Sequence, residues 1–179
     1  MRIAKLLAWA GAAMAVPAHC AVTATSDIGF ATRSSIEIAA DAHTVHDLLV
    51  KPELWWNGAH TYSGNAANLR IDARAGGCFC ETIPAPAGQA GSIEHGRVIA
   101  IIPGKQLRLS AALGPLQSEG VIGTLDFVIM PSGKGVRVTM TYVVGGYLRS
   151  GPARMAPLVD QVLSEQLQGL TRASEAPAL

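Results

Sequence analysis

Residues 30–39 alternate: Phe30, Thr32, Ser34, Ile36 and Ile38 fall on one side, Ala31, Arg33, Ser35 and Glu37 on the other, a two-residue period that predicts a half-buried strand. Asp41 can then cap a helix, because its carboxylate can accept from the first free amides. Val45, Leu48 and Leu49 give that helix an inward stripe, and Pro52 ends it, since the residue before proline avoids the α region. Glu53-Leu54-Trp55-Trp56 predicts a second short helical turn, followed by a loop rich in Gly, Asn and His over 57–68. Strands are then expected at 69–72, from Gly76-Gly77 through 83, and at 92–102, 106–113, 121–130 and 136–144, with turns at Pro84 to Gly88 and at 131–135. Met155, Leu158, Val159, Val162, Leu163, Gln166, Leu167 and Leu170 recur at helical spacing, with Gln161, Glu165 and Gln168 on the other side. Pro157 is best tolerated in a first turn, so the regular helix is expected from near Ala156. The pattern is that of an α+β domain: a curled antiparallel sheet of about seven strands, two short helices after the first strand and a long helix at the end.

The first residues bring in an address. Arg2 and Lys5 precede an apolar run from Leu6 to Val16, then Pro17 and small residues, the three parts of a signal peptide spanning 1–21. The scissile bond is expected after Ala18, Cys20 or Ala21. The apolar run is short of the ~20 residues a spanning helix needs, so no stable membrane insertion is expected after cleavage. His19 is not the small residue that should precede a lipid-modified Cys20. A periodic pattern is missing from 22–29, which reads as a flexible lead-in to a domain over 30–171, and 172–179 reads as a flexible tail. A periplasmic or secreted location follows from this reading.

Charge removes one class of partner. The 179 residues carry 14 basic and 13 acidic side chains, and loss of the leader leaves 12 and 13, a formal −1. Nothing in that balance would neutralise a run of phosphates, so nucleic acid is excluded as a partner. Neither a phosphate-cradling glycine loop nor a nucleophile elbow occurs, and no cofactor is expected.

The chemically capable side chains concentrate in the hairpin that runs from Cys78 through His95. Cys78 and Cys80 share one face of their strand, while Phe79 and Glu81 share the other. Glu81 and His95 are the acid and base available for proton transfer, with a structural hydrogen bond as the alternative, and parity does not reveal which face looks inward. Two strand residues at about 7 Å are too far apart for a disulfide unless the strand bulges, so Cys78 and Cys80 read either as a bridge or as two buried thiols. With His95 they supply zinc-ligating residue types, but a second close-set pair is absent and no metal is expected. Trp55 and Trp56 point ~100° apart on a helix and read either as core or as an aromatic lid.

Taken in order, Ile36 to Val45, Lys51-Pro-Glu-Leu-Trp-Trp56, Ala75-Gly-Gly-Cys-Phe79 and Arg97 to Pro103 resemble the START-like superfamily, also called SRPBCC, which includes polyketide cyclases and dehydrases, lipid-transfer domains and pollen-allergen-like proteins. The resemblance implies the helix-grip fold, with a cavity between the sheet and the last helix for a lipid, polyketide or aromatic metabolite. It implies as candidate ligand contacts Trp55, Trp56, His60, Tyr62, Phe79, Phe127, Tyr142, Leu158 and Val162, with Asp160 near the mouth. The leading expectation is an exported domain binding a small hydrophobic ligand. The alternatives are a cyclase, dehydrase or hydrolase using Glu81 and His95, and a cell-envelope module that binds an unknown protein partner through the exposed side of the sheet.

Overall fold

The computed structural model describes residues 19–176. Eight strands, β1 (His19–Ser26), β2 (Gly29–Ile38), β3 (Leu69–Ile71), β4 (Cys78–Ile83), β5 (Gly91–Ile102), β6 (Gln106–Ala111), β7 (Gly120–Ser132) and β8 (Gly135–Tyr147), form one sheet in the order β1-β2-β8-β7-β6-β5-β4-β3. Each neighbouring pair is antiparallel. The curled, unclosed sheet packs against α2 (Pro152–Glu175), while α1 (Ala42–Leu49) and three single turns of 3-10 helix connect β2 to β3. This is the helix-grip architecture. No helix among the described residues is long and apolar enough to cross a membrane.

Local chemistry accounts for the elements. The alternation of β2 buries Phe30, Thr32, Ser34, Ile36 and Ile38. Asp41 caps α1 by accepting from the amides of His43 and Thr44 at 2.9 and 3.0 Å. On α2 the residues Val159, Leu163, Leu167 and Leu170 are buried, and each such side chain contributes about 1.5–3 kcal/mol over its exposed state.

Three expectations are corrected. Residues 22–26, read as lead-in, belong to β1, which makes eight strands rather than seven. β1 is an edge strand whose residues 23–26 are exposed, so there is little apolar alternation for a sequence pattern to register. The last helix starts at Pro152, not near Ala156. Pro152 is itself the favoured first-turn proline after Gly151, and Pro157, facing solvent, lies inside the helix at the loss of one backbone bond. The helix also continues to Glu175, into the expected tail, whose last three residues lie outside the described ones. The leader falls mostly on residues 1–18, outside the described residues, and His19, Cys20 and Ala21, at its expected end, pair with Ser35, Ser34 and Arg33 of β2.

Gly169 fixes how closely α2 approaches the segment after α1, because a Cβ there would overlap the Trp55 carbonyl oxygen. In an exposed helix interior Gly→Ala stabilises by up to about 1 kcal/mol. Here the overlap decides the sign: Gly169→Ala is expected to destabilise by about 1–3 kcal/mol in urea unfolding, and a gain in stability would show that the helix does not press on this backbone.

Candidate functional site

Alternation along β4 turns Phe79 and Glu81 to the inner face, where the Glu81 carboxylate is wholly buried. An unpaired charge in that position would cost several kcal/mol, so its oxygens need donors. Glu81 Oε2 accepts from the Tyr62 amide at 3.0 Å and lies 2.9 Å from His95 Nε2, while Oε1 accepts from the Ser63 amide.

His95 reaches this carboxylate through a bulge. Phe79 pairs with Gly96 and Cys80 with Glu94, which leaves His95 as an extra residue in β5. Plain alternation back from buried Val98 would send His95 outward. With the bulge, His95 and Gly96 both face inward and Glu94 faces out. Gly96 is required there, since a Cβ would stand 2.7 Å from both the Ser110 carbonyl oxygen and the Ala111 Cβ. The imidazole is flanked by the Phe79 ring at 5.0 Å and the Tyr62 ring at 5.9 Å between centroids.

The connection over 57–68 forms the facing wall and is tied down at four points. Gln166 accepts from the Asn57 amide at 2.7 Å, His60 Nε2 meets Glu165 Oε2 at 2.8 Å, and Glu81 holds the Tyr62 and Ser63 amides. The Tyr62 hydroxyl donates to the Gly114 carbonyl at 2.9 Å, bridging to the 3-10 turn Gly114–Ser118.

Burial pushes the Glu81 carboxyl up, but hydrogen bonding from Ser63, Tyr62 and His95 outweighs it and holds the group below its ordinary value. Burial pulls His95 below its ordinary value, against the opposing effect of Glu81. At neutral pH the pair is therefore a carboxylate and a neutral imidazole. Facing an anion, Nε2 carries the proton, and Nδ1 keeps a lone pair that has no protein partner among the described residues.

His95 borders an apolar cavity of about 590 Å³ beneath the first half of α2. Its wall includes Trp56, His60 and Tyr62 from the loop, Leu113 to Pro115 after β6, and Met155, Leu158, Val159, Val162 and Leu163 from α2. Of the candidate contacts, Trp56, His60, Tyr62, Leu158 and Val162 lie on this wall, and Glu81 stands behind His95. Trp55, Phe79, Phe127 and Tyr142 do not. Trp55 packs edge-on against Phe127 with centroids 6.3 Å apart, and Phe79 backs His95. The Tyr142 hydroxyl donates to the Ala111 carbonyl at 3.0 Å, and burial pushes its pKa up to about 12. Asp160 is off the wall as well, with one buried carboxylate oxygen that has no partner among the described residues and its carboxyl raised by burial. The two readings of the tryptophan pair divide between its members: Trp55 is core and Trp56 faces the cavity.

Sequence reasoning overlooked Gly96, Ser63, Glu165 and Met155. Gly96 offered the one usable signal, a glycine within an apolar strand that marks a bulge. Ser63 acts through its backbone amide, which side-chain identity cannot reveal. Cys78 and Cys80 are joined in a disulfide on the outer face, away from His95, with their Cα atoms 5.4 Å apart. Among the described residues no three metal-ligating side chains converge.

No family model matches the chain, and no curated protein matches it. Solved structures do, at the level of fold. Protein MLL2253 from Mesorhizobium loti superposes with a TM-score of 0.58 and 16% identity over 83% of this chain and 99% of that one. StfQ, a di-domain ARO/CYC protein of the steffimycin biosynthetic pathway, gives 0.58 and 14% over 83% of this chain, which spans 50% of StfQ. CalU16 from Micromonospora echinospora gives 0.50 and 12%, covering 89% of this chain and 87% of its own.

The pair sets an acid limit on stability. His95 binds a proton less readily folded than unfolded, so stability is full above its ordinary value of 6.5 and declines as pH falls from there toward the lower folded value. Glu81, also depressed, adds a second loss as pH falls below 4.5 through its folded value. Urea unfolding across this range should show both declines in the native chain and only the lower one in His95→Gln. A native profile flat through the upper window would contradict the assignment.

Proposed function

We propose that the chain is an exported, START-like ligand-binding domain that encloses a small, largely apolar molecule against α2, with His95 Nδ1 accepting a hydrogen bond from a hydroxyl or similar donor on it. The observation that carries this reading is the apolar cavity of about 590 Å³ bordered by two carboxylate-anchored imidazoles, His60 and His95, of which His95 is the buried one. Ligand sites typically measure about 300–1,000 Å³ and are lined by apolar groups with a few placed polar ones. The flanking rings of Trp56 and Tyr62 favour a ring-bearing guest, and the ARO/CYC label of StfQ supports the aromatic polyketide class. The hollow also favours a small molecule over a protein partner as the principal ligand.

A second reading has its own observation. An imidazole that borders a cavity, with its Nε2–H held by an ionised carboxylate and its Nδ1 without a protein partner among the described residues, can serve as a general base. Nδ1 would take a proton from a carbon beside a carbonyl or from a hydroxyl, and Glu81 would stabilise the imidazolium so formed. That is the proton movement a cyclisation or dehydration requires. If the compound that co-purifies with the chain in native mass spectrometry is converted by it, His95→Gln should keep the compound bound and abolish conversion, and undiminished conversion would end this reading.

Export is supported by the charged and apolar leader and by a disulfide that suits an oxidising compartment. The pairing of His19, Cys20 and Ala21 within β1 favours cleavage after Ala18, so the processed protein should begin at His19 on N-terminal sequencing; an uncleaved chain would refute it.

Binding is tested with N-phenyl-1-naphthylamine, a neutral aromatic probe that fluoresces in apolar surroundings. The native chain should bind it, and Val162→Trp, which fills the cavity with an indole, should weaken binding about tenfold or more, equivalent to about 1.4 kcal/mol, with an unchanged circular dichroism spectrum. Equal affinity in the two proteins, or none in the native chain, would refute the reading.

A further inference from the structure

The disulfide and the cavity pair occupy opposite faces of the same few residues. Along β4 the order is Cys78, Phe79, Cys80, Glu81: the two cysteines face out, and the two residues that hold His95, one by ring contact and one by hydrogen bond, face in. The bridge closes around Phe79, directly across from the His95 bulge of β5. Alternate residues of an extended strand lie about 6.6 Å apart, so a Cα separation of 5.4 Å means that β4 is contracted where β5 carries its additional residue. The two distortions match each other. Between them they set the register of Glu81 against His95.

The outer face suits thiol chemistry. Arg97 pairs with Cys78 on β5, and Arg70 pairs with Cys80 on β3. Arg97 is engaged by Glu94 at 2.6 Å, whereas Arg70, across from Cys80 in the register, has no carboxylate partner among the described residues and donates to Thr82 Oγ1 at 3.5 Å, from where it can swing to a sulfur. A guanidinium beside a sulfur stabilises the thiolate that leaves when a disulfide opens. Cys78 is the more exposed of the two sulfur-bearing residues and so the one open to attack.

We propose that Cys78 and Cys80 form a thiol–disulfide exchange site on the outer face, and that its redox state sets the Glu81–His95 contact on the inner face. A thiolate of a dithiol reductant in the same compartment, of the exported thiol–disulfide oxidoreductase type, attacks the Cys78 sulfur, the bond to Cys80 breaks, and Cys80 departs as a thiolate within reach of Arg70. The second thiol of the reductant then displaces Cys78. The dithiol loses two electrons and two protons and becomes a disulfide, and both cysteines end as thiols. Freed from the bridge, β4 relaxes toward strand spacing, and Glu81 is carried out of hydrogen-bond reach of His95.

The experiment needs no ligand, so it stands apart from the binding reading: a cavity that takes up no probe would sink that reading and leave this one to be judged by the histidine. The full chain with ¹⁵N-labelled histidine is studied by NMR before and after dithiothreitol, with alkylation and mass spectrometry reporting the thiols. Oxidised protein should show a downfield Nε2–H proton for His95. Reduction should abolish that signal while the spectrum stays dispersed, and reoxidation should restore it. The Cys78→Ser/Cys80→Ser variant should lack the signal without any reductant. Four outcomes overturn the proposal: a bridge that dithiothreitol cannot open in the folded chain, a signal unchanged by reduction, a signal retained in the double serine variant, or global unfolding on reduction, which would make the bridge a structural staple. Should the double variant fail to fold, the reduction and reoxidation cycle of the native chain decides alone.

Discussion

The site is organised by one requirement, that a carboxylate with no solvent exposure must find donors for both of its oxygens. Glu81 finds three donors in two places distant in sequence: the adjacent backbone amides of Tyr62 and Ser63 in the connection after α1, and the imidazole of the neighbouring strand. Each donor constrains its own surroundings. The amides of Tyr62 and Ser63 point at Glu81 only if the connection over 57–68 lies across the mouth of the sheet, where His60 and Tyr62 then become wall. The imidazole points there only if β5 bulges. Removing one partner from such a set costs about 3–5 kcal/mol, which is why loop, bulge and cavity are best understood as a unit.

The aromatic residues decide where the interior stays open. Trp55, Phe79 and Phe127 fill the space between the sheet and the middle of α2, with Trp56 packed on both Trp55 and Phe79 at 5.3 and 5.6 Å. What stays open lies in front of this cluster, under the first turns of α2. Leu158, Val162 and Leu163 face it, while Leu167 and Leu170 further along the helix are committed to the core. The close approach permitted by Gly169 presses the helix onto the Trp55 backbone.

How much of this could be seen in the chain depends on whether a signal is local. The alternation of Phe30 to Ile38 and the Asp41 cap are local, and the structure reproduces both. β1 went unread because an edge strand exposes most of its side chains. The grouping of Cys78 with Cys80 and of Phe79 with Glu81 followed from parity, since β4 itself contains no additional residue. His95 could not be placed that way. Its orientation is reversed by a bulge whose cause, Gly96 pressed against Ser110 and Ala111 of β6, is a contact between strands. Tyr142 and Phe127 misled for a related reason: an aromatic on the inner face of a curled sheet looks the same in sequence whether it meets a ligand or the core.

The protonation states of the pair bear on what the cavity can accept. If both groups were neutral the wall would offer a carboxylic acid proton and an ambiguous imidazole, and the site would discriminate little between donors and acceptors. Hydrogen bonds from Ser63, Tyr62 and His95 keep Glu81 ionised, and an ionised Glu81 assigns the imidazole proton to Nε2. Nδ1 is then an acceptor, so a guest that meets it with a carbonyl oxygen leaves two lone pairs opposed, whereas a hydroxyl or enol makes a bond. Where the guest itself covers Nδ1 from water, that mismatch leaves unpaired buried polar groups, which cost about 1–3 kcal/mol each. Selectivity for a donor on the guest thus originates in two backbone amides that the guest never touches.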